Sequence, residues 1–213
     1  MKTVVKRLFG EEFNNLLYMN LITAALCIPV ITAVPALLAL MGTLIKIMDD
    51  RCHLRRIKEY FAMFKKKFWK GVLFELILAA YTLLIIWCTS LGHQLPVGGT
   101  FLRIFALVFG VLAAIISVPV FILLSCTEMP FGQTFWNGVV MALGRFPRAL
   151  LAFLFSWGFI LLAYLFYPIS LLLFIVICIS VSSVLTLGAI WPTLNTLVLS
   201  QYEPEPEPEE EEK

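Results

Sequence analysis

Two acidic residues, Glu75 and Glu128, lie nearer to the long apolar segments of this chain than the other carboxylates do. Counting from a boundary near Phe68, Glu75 lies about two helical turns into one apolar segment, and Glu128 lies at the corresponding end of the next. A carboxylate inside a membrane is rare and is typical of proton coupling or of pairing with a cation. We expect either a coupling role or an ion pair with Lys70 or Arg145. The ion pair is the simpler hypothesis, because neither acid lies at mid-bilayer.

A second group of candidate functional residues consists of polar side chains inside apolar sequence, namely Asn20, Thr32 and Asn195. Such side chains either line a polar cleft between the first and last apolar segments or hydrogen-bond between helices and hold them together. Pro29 and Pro35 flank Thr32 on both sides. Because proline lacks the amide hydrogen and clashes with the preceding helical turn, both prolines are candidate helix-break residues.

The sequence offers no pattern for a metal centre or a catalytic group. The five cysteines are scattered without a CxxC pair, and the one adjacent Cys/His couple, Cys52 and His53, lacks the second pair that a tetrahedral zinc site needs. The chain also lacks a phosphate-binding loop, an HExxH motif and a nucleophile motif. We therefore predict a protein that is not an enzyme, with no metal and no cofactor.

Composition identifies the solvent of this chain as lipid. Hydrophobic residues make up 61% and charged residues 14% of the sequence, whereas a typical soluble domain has about 25% charged residues. Nine of the sixteen Lys and Arg residues fall between Lys46 and Lys70, and seven of the fourteen acids fall between Glu203 and Glu212. Because the dense basic run is confined to one segment beside apolar sequence, we predict the bilayer as a partner and no nucleic acid.

The apolar segments predict six membrane crossings. A bilayer core of about 30 Å needs about 20 helical residues, so the run from Phe13 to Ile47 must hold two crossings, joined by an outer turn from Pro29 to Pro35. Both flanks of this run are basic, which places them, and both termini, on the cytoplasmic side. The other four predicted crossings are 68–91, 101–125, 150–167 and 169–199. The predicted fold class is all-α, a polytopic membrane protein with six transmembrane helices.

Two shorter segments read as amphipathic helices at the inner face. Apolar residues recur with helical spacing between Arg55 and Phe68, and again between Phe131 and Phe146. An offset of 78 superposes the two segments, which suggests an internal repeat of about 33–91 and 101–167. We thus predict a membrane domain over 1–202, followed by a disordered acidic Glu/Pro tail over 203–213.

Several short motifs resemble the YesL-like family of bacterial integral membrane proteins of uncharacterised function. These are Asn20 followed by Pro29-Val30-Ile31-Thr32 and Pro35-Ala36, and the run from Tyr60 to Phe68, Tyr-Phe-Ala-Met-Phe-Lys-Lys-Lys-Phe. The similarity extends through about residue 200. The resemblance implies a Gram-positive type of bacterial plasma membrane, frequent association with carbohydrate-uptake genes, and no established catalytic residue.

We therefore expect an accessory or regulatory membrane protein that acts through partners, among them membrane transporter subunits, near a carbohydrate uptake system. The alternative is a small transporter or channel with its site at the repeat interface, where Glu75 and Glu128 would face a shared cavity. A polar cavity reaching mid-bilayer would favour transport, whereas a closed apolar bundle would favour the accessory role. The sequence does not indicate an oligomeric state.

Overall fold

A computed structural model describes residues 13–48, 56–95, 97–165 and 179–197, and within these ranges the chain is all α-helical with no strand. The all-α prediction is thus confirmed, while the acidic tail and the predicted turn at Tyr167-Pro168 lie outside the described residues. The seven described helices are α1 Phe13–Leu26, α2 Ala33–Met48, α3 Arg56–Gln94, α4 Gly99–Cys126, α5 Phe131–Gly144, α6 Phe146–Leu165 and α7 Ile179–Leu197.

The predicted break between the first two helices is present. α1 ends at Leu26, a single 3-10 turn covers Val30–Thr32, and α2 begins at Ala33. The Thr32 hydroxyl donates to the carbonyl oxygens of Leu26 and Pro29, the latter at 2.9 Å. These bonds satisfy carbonyls that the end of α1 leaves without helical partners, so proline and threonine together terminate one helix and start the next.

α2 and the first half of α3 pack as an antiparallel pair. Lys46 near the end of α2 forms an ion pair with Glu59 in the first turn of α3. One turn further on, Gly42 of α2 faces the Met63 side chain, and at the start of α2 the backbone of Pro35 lies against Gly71. α2 therefore runs beside the basic half of α3 rather than beside its apolar half. The turn at Pro29 to Pro35 lies next to the end of the basic segment, although the sequence placed the two on opposite membrane faces.

α3 is one continuous helix of 39 residues, about 58 Å long. The sequence predicted a separate amphipathic helix ending at Phe68 and then a crossing, but no proline occurs within α3 to separate them. The corresponding place after α5 does break, since α5 and α6 meet at 105° around Arg145. Pro147 lacks the amide hydrogen that would bond to Leu143, and its ring clashes with that carbonyl, so the helix cannot continue through it.

The second half of α3 pairs antiparallel with α4 over a long contact. Gly92 and Gly99 lie in close contact beside the α3–α4 loop, Gly110 lies against Ile85, and the Tyr81 hydroxyl donates to the Phe109 carbonyl at 2.9 Å. Gly98 closes the loop with a φ of 80°, a conformation that glycine adopts without strain. A short loop therefore joins the two segments that the sequence predicts as the crossings 68–91 and 101–125, and the two helices form one long hairpin.

Three described helical segments are long and apolar enough to cross a membrane, namely Val30–Ile47, Ile57–Gln94 and Gly99–Cys126. Counting the bent pair of α5 and α6 as one crossing gives four. α1 and α7 contribute only shorter apolar stretches within the described ranges. The structure thus supports a helical membrane protein with three or four candidate crossings, and not clearly the six that the sequence predicts.

The close approach of α2 to α3 generates a stability prediction. A Cβ added at Gly71 would lie 2.8 Å from the Pro35 Cα, closer than packed atoms allow. We expect Gly71→Ala to lower the free energy of unfolding by about 1–3 kcal/mol, the usual cost of overpacking. Thermal unfolding in detergent measures this loss. Gly158→Ala is the matched control, because a Cβ there meets open space in a helix interior. Equal stability of the two variants would contradict the close packing.

Candidate functional site

Three lysines of α3 converge on the connection between α4 and α5, and we call Lys66, Lys67 and Lys70 the lysine clamp. Lys67 is only 2% exposed, and its ammonium donates to the carbonyl of Thr127. Lys70 donates to the carbonyls of Met129 at 2.7 Å and Glu128 at 3.1 Å. Lys66 forms an ion pair with the Glu128 carboxylate. Three consecutive residues of the connection are thus held by one face of α3.

The lysine clamp is explained by the chemistry of a helix end. The last four carbonyls of a helix have no partner within it, and they carry the negative end of the helix dipole. The ammonium groups satisfy carbonyls just beyond α4 and place positive charge where the dipole favours it. A buried lysine is costly unless its charge is hydrogen-bonded, and the Thr127 carbonyl meets part of this requirement for Lys67. The clamp therefore fixes α3, the end of α4 and the start of α5 relative to one another.

Glu128 is an exposed member of this site. The hydrogen bond donated by Lys66 lowers the pKa of the Glu128 carboxyl, and the nearby charges of Lys67 and Lys70 act in the same direction. The sequence proposed Lys70 or Arg145 as the partner of an acid here. The described structure instead pairs the carboxylate with Lys66 and uses Lys70 for the backbone carbonyl.

Glu75 lies at the opposite end of α2 from the Lys46 ion pair. Its carboxylate accepts a hydrogen bond from the backbone N–H of Val34, in the first turn of α2. An acceptor at this position satisfies a free amide, and a negative charge there is favoured by the helix dipole. The second carboxylate oxygen, Oε2, is buried and has no hydrogen-bond partner within the described ranges of the chain. Glu75 thus contacts the α1–α2 turn, whereas Glu128 contacts the lysine clamp.

The remaining sequence candidates have separate surroundings. Asn20 is buried in α1, and Thr32 uses its hydroxyl within the α1–α2 turn. Asn195 belongs to α7, but its side chain lies outside the described part of the structure. The predicted polar cleft between the first and last helices is therefore untested. Pro29 lies in the break between α1 and α2, whereas Pro35, predicted as a second helix-break residue, lies in the first turn of α2.

Two polar contacts between helices, one buried and one partly buried, were missed by reading the sequence. Tyr60 is fully buried, and its hydroxyl donates to the Ala36 carbonyl at 3.3 Å and accepts from the Thr23 hydroxyl at 3.0 Å. The helical spacing of Ile57, Tyr60 and Phe61 predicted that all three belong to the apolar stripe of an amphipathic helix at the inner interface. In the sequence, only the hydroxyl of Tyr60 indicates a different environment, because a buried phenol needs a hydrogen-bond partner. The Lys46–Glu59 pair was also missed, because its members lie on different helices.

The described surface holds a cleft against the bend between α5 and α6. It is lined by α4, α5, α6 and α7, and neither Glu75 nor Glu128 belongs to its walls. The cleft has no interior space large enough for a water molecule. Among the described residues, no three His, Cys, Asp or Glu side chains are grouped so that they could hold a metal ion. The lining residues are Pro119, Met141, Arg145, Arg148, Ala149 and Ile190.

Comparison with known proteins gives one match of limited extent. Residues 14–88 match the profile of a family described as "Protein of unknown function, DUF624". The match covers α1, α2 and most of α3, about a third of the chain, and includes the α1–α2 turn, the lysine clamp and Glu75. No curated protein and no solved structure matches the chain. The match agrees with a resemblance to a family of uncharacterised function.

The two glutamate–lysine ion pairs differ in exposure, and this difference predicts how much each one contributes to stability. Glu59→Gln removes the charge from a carboxylate that is 8% exposed and leaves Lys46 facing a neutral group. We expect a loss of about 1–3 kcal/mol in the free energy of unfolding, measured by denaturation in detergent. Glu128→Gln is the matched control, since its pair with Lys66 is exposed and such pairs contribute about 0–1 kcal/mol. A larger loss for Glu128→Gln would show that the buried pair is not the stabilising one.

Proposed function

We propose that this chain is an integral membrane accessory or regulatory protein that acts through partners. We further propose, from the resemblance to the YesL-like family, a bacterial plasma membrane and a role near a carbohydrate uptake system. From the placement of the basic residues we propose that both termini are cytoplasmic. The supporting observation is that the charged side chains of the candidate site bind neighbouring parts of the fold. Glu128 and Glu75 each contact a backbone or side-chain partner of a neighbouring element, and so do the clamp lysines. These residues stabilise the fold, so we propose no enzymatic activity.

α5 supplies the surface on which we expect a partner to dock. One side of α5 packs on α4 through Gly138, which lies against Val120, and through the buried Ala142. The other side exposes apolar side chains, among them Trp136 at 66% and Leu143 at 58%. α5 contains no charged residue. Such a face fits the apolar groove of another helical subunit, because binding would desolvate no charge.

Two features hold this surface in a fixed position. The lysine clamp fastens the connection that leads into α5, and the bend of 105° at Arg145 turns the chain away at its other end. A rigid apolar helix loses little conformational entropy when a partner binds, so more of its burial contributes to affinity. We infer that the partner is a membrane subunit of a transporter rather than a soluble substrate.

A photo-crosslinking amino acid at position 136 tests this proposal in cells that produce the protein from its own gene. We expect adducts with subunits of a membrane transporter. Position 87 is the matched control, because Trp87 is about as exposed, at 62%, but lies on the apolar half of α3. The proposal fails if position 136 gives no protein adduct, or gives the same adducts as position 87.

One observation favours the second candidate function, a small transporter. Among the residues that the structure describes, none hydrogen-bonds to the buried Oε2 atom of Glu75. A carboxylate with an unsatisfied buried oxygen favours taking up a proton, which would remove its charge and supply a donor. In that case Glu75 would bind and release a proton during transport, in addition to stabilising the start of α2.

Glu75→Gln separates the two functions. The amide oxygen of Gln still accepts from Val34, so we expect the folded protein to remain, with a loss of at most about 2 kcal/mol in the free energy of unfolding. Under the accessory function, proteoliposomes with either protein show equal proton leak, measured with a pH-sensitive dye inside the vesicles. A proton flux carried by the native protein and abolished by Glu75→Gln, with thermal unfolding unchanged, would favour the transporter.

A further inference from the structure

We infer that the α1–α2 turn lies on the same membrane face as the lysine clamp, and that hydrocarbon surrounds the α3–α4 hairpin instead. Here the α3–α4 hairpin means 71–92 of α3 with the facing part of α4. The α1–α2 hairpin would then lie at the clamp side of the membrane without crossing it. This inference concerns how the protein sits in the membrane and does not depend on the proposed function.

The first step is the register between α2 and α3. Their contacts run from Lys46 and Glu59 at one end to Pro35 and Gly71 at the other, so the whole of α2 lies beside the first half of α3. α3 is about 58 Å long, whereas a hydrocarbon core is about 30 Å thick. The hydrocarbon core can therefore enclose one half of α3 but not both. Because α2 packs along the first half of α3, α2 lies at the same depth as that half.

The second step is the surface of the first half of α3. Lys58, Lys65 and Lys66 are exposed there, and Trp69 is 79% exposed one residue before Lys70. Exposed lysines facing hydrocarbon are strongly disfavoured, while lysine and tryptophan together are typical of the membrane interface. The first half of α3 therefore lies at or beyond the interface. The first residues of α2 lie level with Gly71 to Glu75, so the α1–α2 turn, which directly precedes them, lies near that level.

The third step is the surface of the second half. From Leu76 to Leu91, α3 carries no charged residue and exposes large apolar side chains, such as Leu83 at 66%. The facing half of α4 also carries no charged residue and exposes large apolar side chains from Ile104 to Val111. The distance from Gly71 to Gly92 along the helix is about 32 Å, which matches the hydrocarbon thickness. The far end is marked by His93 and Arg103, whose side chains lie 3.4 Å apart.

Cysteine labelling tests which face the α1–α2 turn occupies. In the full chain with its native cysteines replaced, single cysteines are introduced at three exposed positions, Ile31, Lys65 and Val97. A membrane-impermeant maleimide is added to intact cells and, separately, to permeabilised cells. Lys65→Cys reports the clamp side, and Val97→Cys reports the α3–α4 loop. Binding of the unlabelled variants to the membrane fraction and their thermal unfolding in detergent confirm that each is folded.

We expect Ile31→Cys to follow Lys65→Cys and to differ from Val97→Cys. With the clamp facing the cytoplasm, Val97→Cys labels in intact cells, and the other two label at least tenfold more after permeabilisation. Labelling of Ile31→Cys together with Val97→Cys would overturn the inference and restore a crossing by α2. Failure of Ile31→Cys to label under either condition, with the two reporters labelling normally, would also overturn it, because the turn would then lie within the hydrocarbon.

Discussion

The backbone carbonyls that directly follow the end of α4 impose the constraint on which the described structure depends. In an apolar environment an unpaired carbonyl is costly, and the end of a helix has several of them. Lys67 and Lys70 satisfy carbonyls from Thr127 to Met129, and both lysines belong to α3. The requirement therefore sets the axial position of α3 against α4. It also sets where α5 begins, because Phe131 follows this connection directly.

Acidic side chains of α3 bind both ends of α2. Glu59 pairs with Lys46 near the end of α2, and Glu75 accepts from the Val34 amide at its start. The cation lies near the negative end of the α2 dipole, and the carboxylate lies at its positive end, so both arrangements are favourable. Because these contacts sit four helical turns apart on α3, they fix the register of the pair as well as its separation. α3 is thus the element that carries the charges needed by both of its neighbours.

The sequence predicted much of the secondary structure, since proline and helical periodicity act locally. The break around Thr32 and the loop at Gly98 follow from residues within a few positions of each other. The role of Lys67 could not be read in the same way, because its partner Thr127 lies 60 positions away in the chain. A run of lysines beside apolar sequence predicts a membrane interface, and periodicity alone cannot show which lysine turns inward. The continuity of α3 was missed for a related reason, since a change in composition after Lys70 does not itself end a helix.

The contrast between Trp69 and Pro147 explains why two similar segments end differently. The runs Lys67-Phe68-Trp69-Lys70 and Arg145-Phe146-Pro147-Arg148 carry paired basic residues around an aromatic one. With Trp69 the helix continues and carries apolar sequence away from the helices around α2. With Pro147 the helix breaks, and α6 turns back to pack on α4 and α7. The first outcome yields a long apolar hairpin suited to lipid, and the second leaves α5 as a short helix with one packed face and one open face. The recognition of a partner that we propose therefore depends on the open apolar face of α5, which contains no charged residue.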